Sequence, residues 1–166
     1  RVHRVAKSDP VRVRTRAREL ALQFLYGIDV QGPEYRERLE AFLHDELAGK
    51  PGEQDAREYA VRIVDGVTLH REAIDRLLQE AAQNWDISRM AVIDRNAMRI
   101  GCYEMLHVPE VPTKVAINEA IEIARKFGGE DSCRFVNGVL DKIKGELTRP
   151  LREAVVPRGD VKSKPQ

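Results

Sequence analysis

The stretch VPTKVAINEAIEIARKFGGEDSCRFVNGVLDKI, residues 111–143, contains two helical patterns separated by a pair of glycines. In the first pattern apolar residues recur every three or four positions, which predicts a helix over 114–127. The glycine pair supplies the residues at which helices commonly end. Asp131 or Ser132 is predicted to cap a last helix, whose apolar stripe continues to about Leu147. The segment therefore predicts two packed helices joined by a tight turn.

The rest of the chain repeats this helical spacing and shows no strand pattern. Apolar stripes predict further helices over 15–29, 34–48, 54–83 and 86–106. Gly66 marks the position at which the longest of these is expected to bend or to be interrupted. The 86–106 segment is apolar on most sides and is therefore predicted to be the central helix. Together these patterns predict an all-α bundle of about six helices.

Basic residues are concentrated at the two ends of a chain whose formal net charge is only +1. Residues 1–18 hold seven Arg or Lys against one acid, residues 142–166 hold seven against three, and the middle holds fourteen against twenty-three. Basic ends on an acidic body indicate contact with a polyanion such as nucleic acid, and solubilising tails are the alternative. We interpret 1–13 as a flexible basic arm and 148–166 as a flexible basic tail.

Composition narrows the class of protein further. Hydrophobic residues make up 42% of the chain, as in ordinary globular proteins. No apolar run approaches the roughly 18 residues that a membrane-spanning helix needs. Cys102 and Cys133 are too few for a disulfide framework and lack the spacing of metal ligands. We therefore expect a protein of the reducing cytoplasm that has no membrane contact, metal or cofactor.

Two aromatic residues lie off the predicted apolar stripes. On a helical wheel Tyr26 falls roughly opposite the stripe of its helix, on the same side as Arg12 and Arg16. Phe135 falls roughly 100° from the stripe of the last helix. An exposed aromatic beside arginines is a stacking platform for an unpaired base. The alternatives are that Tyr26 packs on another helix and that Phe135 packs on a neighbouring loop.

The 111–143 stretch and RTRARELALQFLYGIDV, residues 14–30, closely resemble the NusB family of bacterial transcription antitermination factors. The resemblance implies an all-helical, two-lobe bundle of about seven helices over 14–147, with lobes of about 14–83 and 86–147. It also implies binding of single-stranded boxA RNA in nascent ribosomal RNA transcripts, most tightly together with the ribosomal protein NusE. The family acts with RNA polymerase to suppress premature termination, without catalysis.

The resemblance assigns candidate site residues by position. The arginine segment corresponds to RVRTRARE, in which a threonine interrupts the arginines, so the first two arginines are expected on a flexible lead-in. Asp94 matches an acidic position where RNA and the protein partner meet. The remaining implied RNA-binding residues are Arg12, Arg14, Arg16, Arg18, Tyr26, Asp131 and Phe135.

Two other functions compete with RNA binding. Some RNA cytosine methyltransferases carry a domain of this fold, but the chain has no glycine-rich cofactor loop after a strand. No histidine is placed by sequence beside Cys102 or Cys133, which argues against a catalytic thiol. A homodimer or a pure protein-interaction module is the second alternative, because a helical bundle with an apolar patch can self-associate.

Overall fold

A computed structural model describes residues 8–154, with side chains described as far as Leu147. Seven α-helices and two short 3-10 helices make up the described range, and no strand occurs within it, which confirms the all-α prediction. In chain order the elements are α1 (Pro10–Gln31), a 3-10 helix (Pro33–Arg38), α2 (Leu39–Leu47), α3 (Glu53–Leu69), α4 (Arg71–Ala81), a 3-10 helix (Ile87–Arg89), α5 (Val92–His107), α6 (Thr113–Gly128) and α7 (Glu130–Ala154).

The first helix begins earlier than its apolar stripe indicates. The Asp9 side chain accepts a hydrogen bond from the Val11 backbone amide at 3.0 Å, and Pro10 occupies the first turn, where a missing amide proton does no harm. Residues 10–13, expected in the flexible arm, are therefore helical. The prediction that Arg12 and Arg14 lie on a flexible lead-in is therefore wrong, because both residues belong to α1. Residues 1–7 of the predicted arm lie outside the described residues.

The predicted 54–83 helix is two helices, and the break falls at His70 rather than at Gly66. Gly66 continues α3 because its missing side chain makes room for a neighbour. A Cβ built at Gly66 would overlap the ring of Tyr103 on α5. The glycine therefore serves close packing between α3 and α5, and it does not bend the helix.

The α6–α7 turn follows the predicted glycine pair, with Gly129 at a φ of 94°, which favours glycine. The helix that follows starts at Glu130, so Asp131 and Ser132 lie inside its first turn and the predicted capping role is wrong for both. The α7 backbone stays helical to Ala154, beyond the end of the apolar stripe at Leu147. Residues 155–166 of the predicted tail lie outside the described range.

The core is organised around α5, as its apolar composition predicted. Nine consecutive residues of this helix, Asn96 to Glu104, are buried. α5 packs against α1 and α3, and also against α6 and α7. The short helix α4 packs on α5 and α7, so it belongs with the C-terminal helices. The division into lobes of about 14–83 and 86–147 stays a prediction.

Candidate nucleic-acid interface

One side of α1 carries the predicted arginines together with Tyr26. At 100° per residue, five of its residues fall within a sector of about 80°. We call this sector the α1 face, and it consists of Arg12, Arg16, Glu19, Gln23 and Tyr26. Tyr26 is 43% exposed, so its predicted position off the core is confirmed. The face combines cations with an aromatic ring along about 21 Å of helix.

The two arginines of the α1 face are held to different degrees. The side chain of Arg12 is 89% exposed, and the ion pair that it forms among the described residues is a loose one with Asp9, at 3.9 Å. Arg16 donates to Glu19 at 3.2 Å and to Glu46 of α2 at 3.0 Å. Both arginines line a cleft of about 420 Å³ that also includes Lys50. Lys50 follows α2 in a loop, and no sequence pattern connects it with the arginine segment.

The end of α6 adds a further cation to the same side. Lys126 places its Nζ 3.0 Å from the Oε1 atom of Glu19, and its side chain is 57% exposed. The sequence shows Lys126 only as a charged residue in the last turn of a helix. Its position beside the α1 face follows from the parallel packing of α1 and α6, along which Thr15 also donates to Glu119 at 3.1 Å.

Arg14 points away from the α1 face. Its guanidinium carbon lies 4.5 Å from the ring centroid of Tyr59, and its Nη2 atom lies 3.9 Å from Glu110. Arg62 of α3 also pairs with Glu110. The arginine segment therefore divides between two sides of α1, because residues two apart on a helix point in nearly opposite directions.

Arg18 is a correction to the predicted RNA-binding set. Only 2% of the residue is exposed, and its guanidinium binds Glu104 through three contacts of 2.8 to 3.0 Å. The Tyr59 hydroxyl donates to the same carboxylate. Burial acts to lower the pKa of Arg18, but the hydrogen bonds and charge of Glu104 outweigh burial and raise it. This side chain stays charged inside the fold and cannot reach a phosphate.

Phe135 packs against a residue that the sequence analysis did not single out. Trp85, in the loop between α4 and α5, meets it edge to face, with ring centroids 6.0 Å apart and an interplanar angle of 70°. Phe135 is half-buried, whereas Trp85 is 62% exposed. The feature of the sequence that could have identified Trp85 is a tryptophan among polar residues in the turn NWDIS. Contact with a loop, one of the two positions predicted for Phe135, is confirmed.

The two predicted acids occupy the first turns of adjacent helices. Asp131 is exposed in the first turn of α7. Asp94 is half-buried in the first turn of α5, and its Oδ1 atom is buried without a hydrogen-bond partner among the described residues. The two helix starts are brought near one another, since Ile93 approaches Gly128 at the end of α6. An acid at a helix N-terminus is favourable whether or not it binds RNA.

A buried polar network under the C-terminal end of α1 was also missed. The side chain of Asp29 is only 3% exposed, and cations from α4 and α5 surround it. Burial acts to raise its pKa, but the charge of Arg99 and hydrogen bonds from Arg95 and Asn96 outweigh this and lower the pKa. The network joins α1 to α4 and α5 and holds Arg95 and Arg99 largely away from solvent, whereas the side chain of Arg71 stays 44% exposed. From sequence alone they would count as surface charge.

The thiols have no arrangement for catalysis in the described part of the chain. Burial raises the pKa of Cys102 to about 12, so this thiol is protonated at neutral pH. Cys133 is buried, with its Sγ 3.1 Å from Nη2 of Arg125. Between residues 8 and 147, no three His, Cys, Asp or Glu side chains are grouped to hold a metal ion. None of the described helices has the length and apolarity to cross a membrane.

Comparison with known proteins supports the family resemblance that was based on residues 14–30 and 111–143. The NusB family model matches residues 15–144. The transcription antitermination protein NusB of Desulfotalea psychrophila is 46% identical over 139 residues, covering 80% of this chain and 95% of that protein. The NusB of an Anaeromyxobacter species is 47% identical over 134 residues, covering 81% of this chain and 91% of that protein.

Solved structures give the same result. A crystal structure of the antitermination factors NusB and NusE in complex with dsRNA contains a chain that superposes with a TM-score of 0.72 at 28% identity. The superposition covers 81% of this chain and 98% of that chain. A NusB structure from T. maritima superposes with a TM-score of 0.69 at 35% identity, covering 84% of this chain and 93% of that chain. The chain belongs to the NusB family.

Proposed function

We propose that this protein is a transcription antitermination factor that binds RNA together with NusE. The observation that carries the proposal is the α1 face, where Arg12, Arg16 and Tyr26 reach solvent on one side of one helix. Relatives named as antitermination proteins and a structural neighbour solved with NusE and dsRNA support it. The RNA in this proposal is the boxA element of nascent ribosomal RNA transcripts.

Recognition requires no covalent chemistry in this scheme. Arg12 and Arg16 bind phosphates and release counterions, so affinity falls as salt rises. Arg14 contributes at the flank, where Glu110 partly neutralises it. Tyr26 and Phe135 stack unpaired bases. Arg18 takes no part, because its charge is committed to Glu104 inside the fold.

The two acids tune specificity. A carboxylate beside RNA repels phosphate, so it is useful where it accepts a hydrogen bond from a base edge or weakens binding to other sequences. Asp131 is exposed on α7 and is placed to act in this way. Asp94, half-buried in the first turn of α5, matches an acidic position of the family and is on that ground our candidate for the junction between RNA and NusE.

The protein partner is proposed on electrostatic grounds. Residues 19–141 carry fourteen basic against twenty-three acidic side chains, and an acidic body attracts a basic ribosomal protein. The heterodimer would then join RNA polymerase in the cytoplasm, where nascent transcripts emerge. The protein acts as a binding factor throughout and not as an enzyme.

Fluorescence anisotropy of a labelled single-stranded boxA RNA tests the proposal, with and without NusE, at two salt concentrations and against a scrambled RNA. We expect tighter binding to boxA, strengthened by NusE and weakened by salt. Equal binding of both RNAs would mean that the basic ends of the chain make only nonspecific contacts with RNA. No binding even with NusE would reject the proposed function.

Matched variants place binding on the α1 face. Tyr26→Ala removes a stacking ring and is expected to weaken boxA binding about 5-fold or more. Arg12→Gln should lower the slope of log affinity against log salt by about 0.7. The controls are Leu69→Ala, at an exposed apolar residue of α3, and Arg76→Gln, at an exposed arginine of α4. Equal losses in the controls would mean that the α1 face has no special role.

A further inference from the structure

Two histidine rings stack on one another where α3, α4 and α5 meet. His70 is the single residue between α3 and α4, and His107 is the last residue of α5. Their ring centroids lie 3.8 Å apart, with an interplanar angle of 14°. Tyr103, one turn before His107, stacks on the His70 ring with centroids 6.3 Å apart. None of the residues proposed for RNA belongs to this stack.

The ring nitrogens of this histidine pair are available to a ligand. Between residues 8 and 147, neither ring forms a hydrogen bond or an ion pair, and no ring nitrogen of His70 is buried without a partner. His107 is exposed and His70 is half-buried. A neutral imidazole carries a lone pair on one nitrogen, which accepts either a proton or a metal ion. The pair therefore presents two metal ligands to solvent.

The surroundings of the pair favour the form that binds a metal. Partial desolvation, and then the charge of His70, lower the pKa of His107. Because imidazole must be neutral to coordinate a metal, a lower pKa lessens competition from protons at neutral pH. The neighbouring Arg71 is drawn to Asp29 at 3.0 Å and to Asp75 at 3.7 Å. The positive charge of this arginine is thus offset, and it opposes a bound cation only weakly.

The chemistry of the ligands selects the class of ion. Imidazole nitrogen suits Zn²⁺, Cu²⁺ and Ni²⁺, whereas Ca²⁺ and Mg²⁺ prefer oxygen ligands. Zinc–nitrogen bonds of about 2.0–2.1 Å place two nitrogens on one ion at most about 4 Å apart, which two rings this close can meet. Stacked rings direct their lone pairs nearly in parallel, so one ring has to turn, and the exposed His107 has the room to do so. His70 lines a cleft of about 470 Å³, which has space for coordinating water.

We propose that His70 and His107 together chelate one divalent transition-metal ion of the zinc class, with water completing its coordination. Such an ion ties the α3–α4 junction to the end of α5. Tight zinc sites hold the second nitrogen of each histidine through a hydrogen bond, and neither ring has such a partner among the described residues. The site is therefore an exchangeable one rather than a permanent structural zinc centre. It does not depend on the proposed RNA-binding function.

Titration of the full chain with Zn²⁺ tests the site. Isothermal titration calorimetry measures stoichiometry and affinity, and NMR of the histidine ring protons identifies the ligands in the unmodified protein. We expect one ion per chain, ring signals of His70 and His107 that shift along the same binding curve, and loss of binding between pH 7.5 and pH 5 as the rings become protonated. At free Zn²⁺ of about 100 times the Kd, the melting temperature should rise by about 5 °C or more.

The four histidines of the chain supply matched variants and controls. His70→Gln and His107→Gln each remove one of the two protein ligands, so each should weaken Zn²⁺ binding at least about 10-fold. The controls are His44→Gln, at an exposed histidine of α2, and His3→Gln, and both should leave the affinity unchanged. Circular dichroism confirms that each variant is folded, and the ring signals of the unmodified protein decide the question if one is not.

Three results would overturn the metal site. The first is the absence of saturable Zn²⁺ binding. The second is binding during which the ring signals of His70 and His107 stay in place, or which His107→Gln leaves unchanged. The third is equal weakening by His44→Gln, which would assign the binding to scattered surface histidines. RNA binding is measured in a separate assay, so failure of either proposal leaves the other standing.

Discussion

Replacing Glu104 with glutamine tests how strongly the fold depends on its buried ion pair. Glu104 is completely buried and accepts from the guanidinium of Arg18 and the hydroxyl of Tyr59. Glu104→Gln keeps the shape of the side chain but removes its charge. The cation of Arg18 then remains inside the protein, 2% exposed, without its close counter-ion. The nearest other carboxylate, on Glu119, lies 3.6 Å from Nη1 of Arg18.

The expected loss follows from leaving one charge unpaired. Removing a single partner from a buried ion pair destabilises proteins by about 3–5 kcal/mol. Glu119 and the remaining amide oxygen compensate in part, so we expect a loss of about 3 kcal/mol in the free energy of unfolding. For a chain of this length, that corresponds to a melting temperature lower by on the order of 10 °C.

Urea unfolding followed by circular dichroism measures the loss directly. The double variant Arg18→Met, Glu104→Gln removes the stranded cation and is expected to be more stable than Glu104→Gln alone. Two results would refute the reasoning: a Glu104→Gln loss below about 1 kcal/mol, or a double variant that is less stable than the single one. Either would mean that Arg18 finds water or another partner in the fold.

Three further outcomes are expected. Gly66→Ala should lower the unfolding free energy by about 1–3 kcal/mol, because the added methyl group overlaps the Tyr103 ring; an unchanged urea midpoint would contradict this packing. His107 is exposed but stacks on His70, with ring centroids 3.8 Å apart. Partial desolvation there, and then the charge of His70, lower the pKa of His107, so it should destabilise the fold slightly at low pH. Its contribution is complete above about pH 6.5 and is lost as pH falls through the lowered pKa, so His107→Gln should show a smaller stability difference between pH 7.5 and pH 5. Asp131→Asn should bind RNA more tightly and lower the unfolding free energy by no more than about 0.3–1 kcal/mol, since Asp131 lies in the first turn of α7 but is not its cap; weaker binding would indicate a direct contact with a base.

The sequence predicted helix boundaries accurately where apolar spacing and helix-ending residues coincide. The α6–α7 unit was predicted to within three residues at each internal boundary, because apolar spacing and a glycine pair act between close neighbours in the chain. The start of α1 was missed because Asp9 and Pro10 precede the apolar stripe. The break at His70 was missed because the amphipathic pattern continues across it.

The candidate site residues likewise include some that the sequence could place and some that it could not. Tyr26 could be placed on the arginine-bearing side of α1 from helical geometry alone, since angular position depends only on residue number. Arg18 could not be excluded from that set, because its burial depends on Glu104, 86 positions away in the chain. Trp85 could not be joined to Phe135 for the same reason, as the two rings meet only when α4 and α7 pack together.

The sequence by itself therefore determined the all-helical class, the membership of the NusB family and the presence of arginines and aromatics suited to RNA. Only the tertiary structure decided which of these side chains reach solvent and which serve the core. The physical reason is that helix formation depends on residues three or four positions apart, whereas burial and charge pairing depend on helices distant in the chain. Identical arginines six positions apart on one helix can thus be a phosphate ligand, as we propose for Arg12, and an internal counter-ion, as Arg18 is.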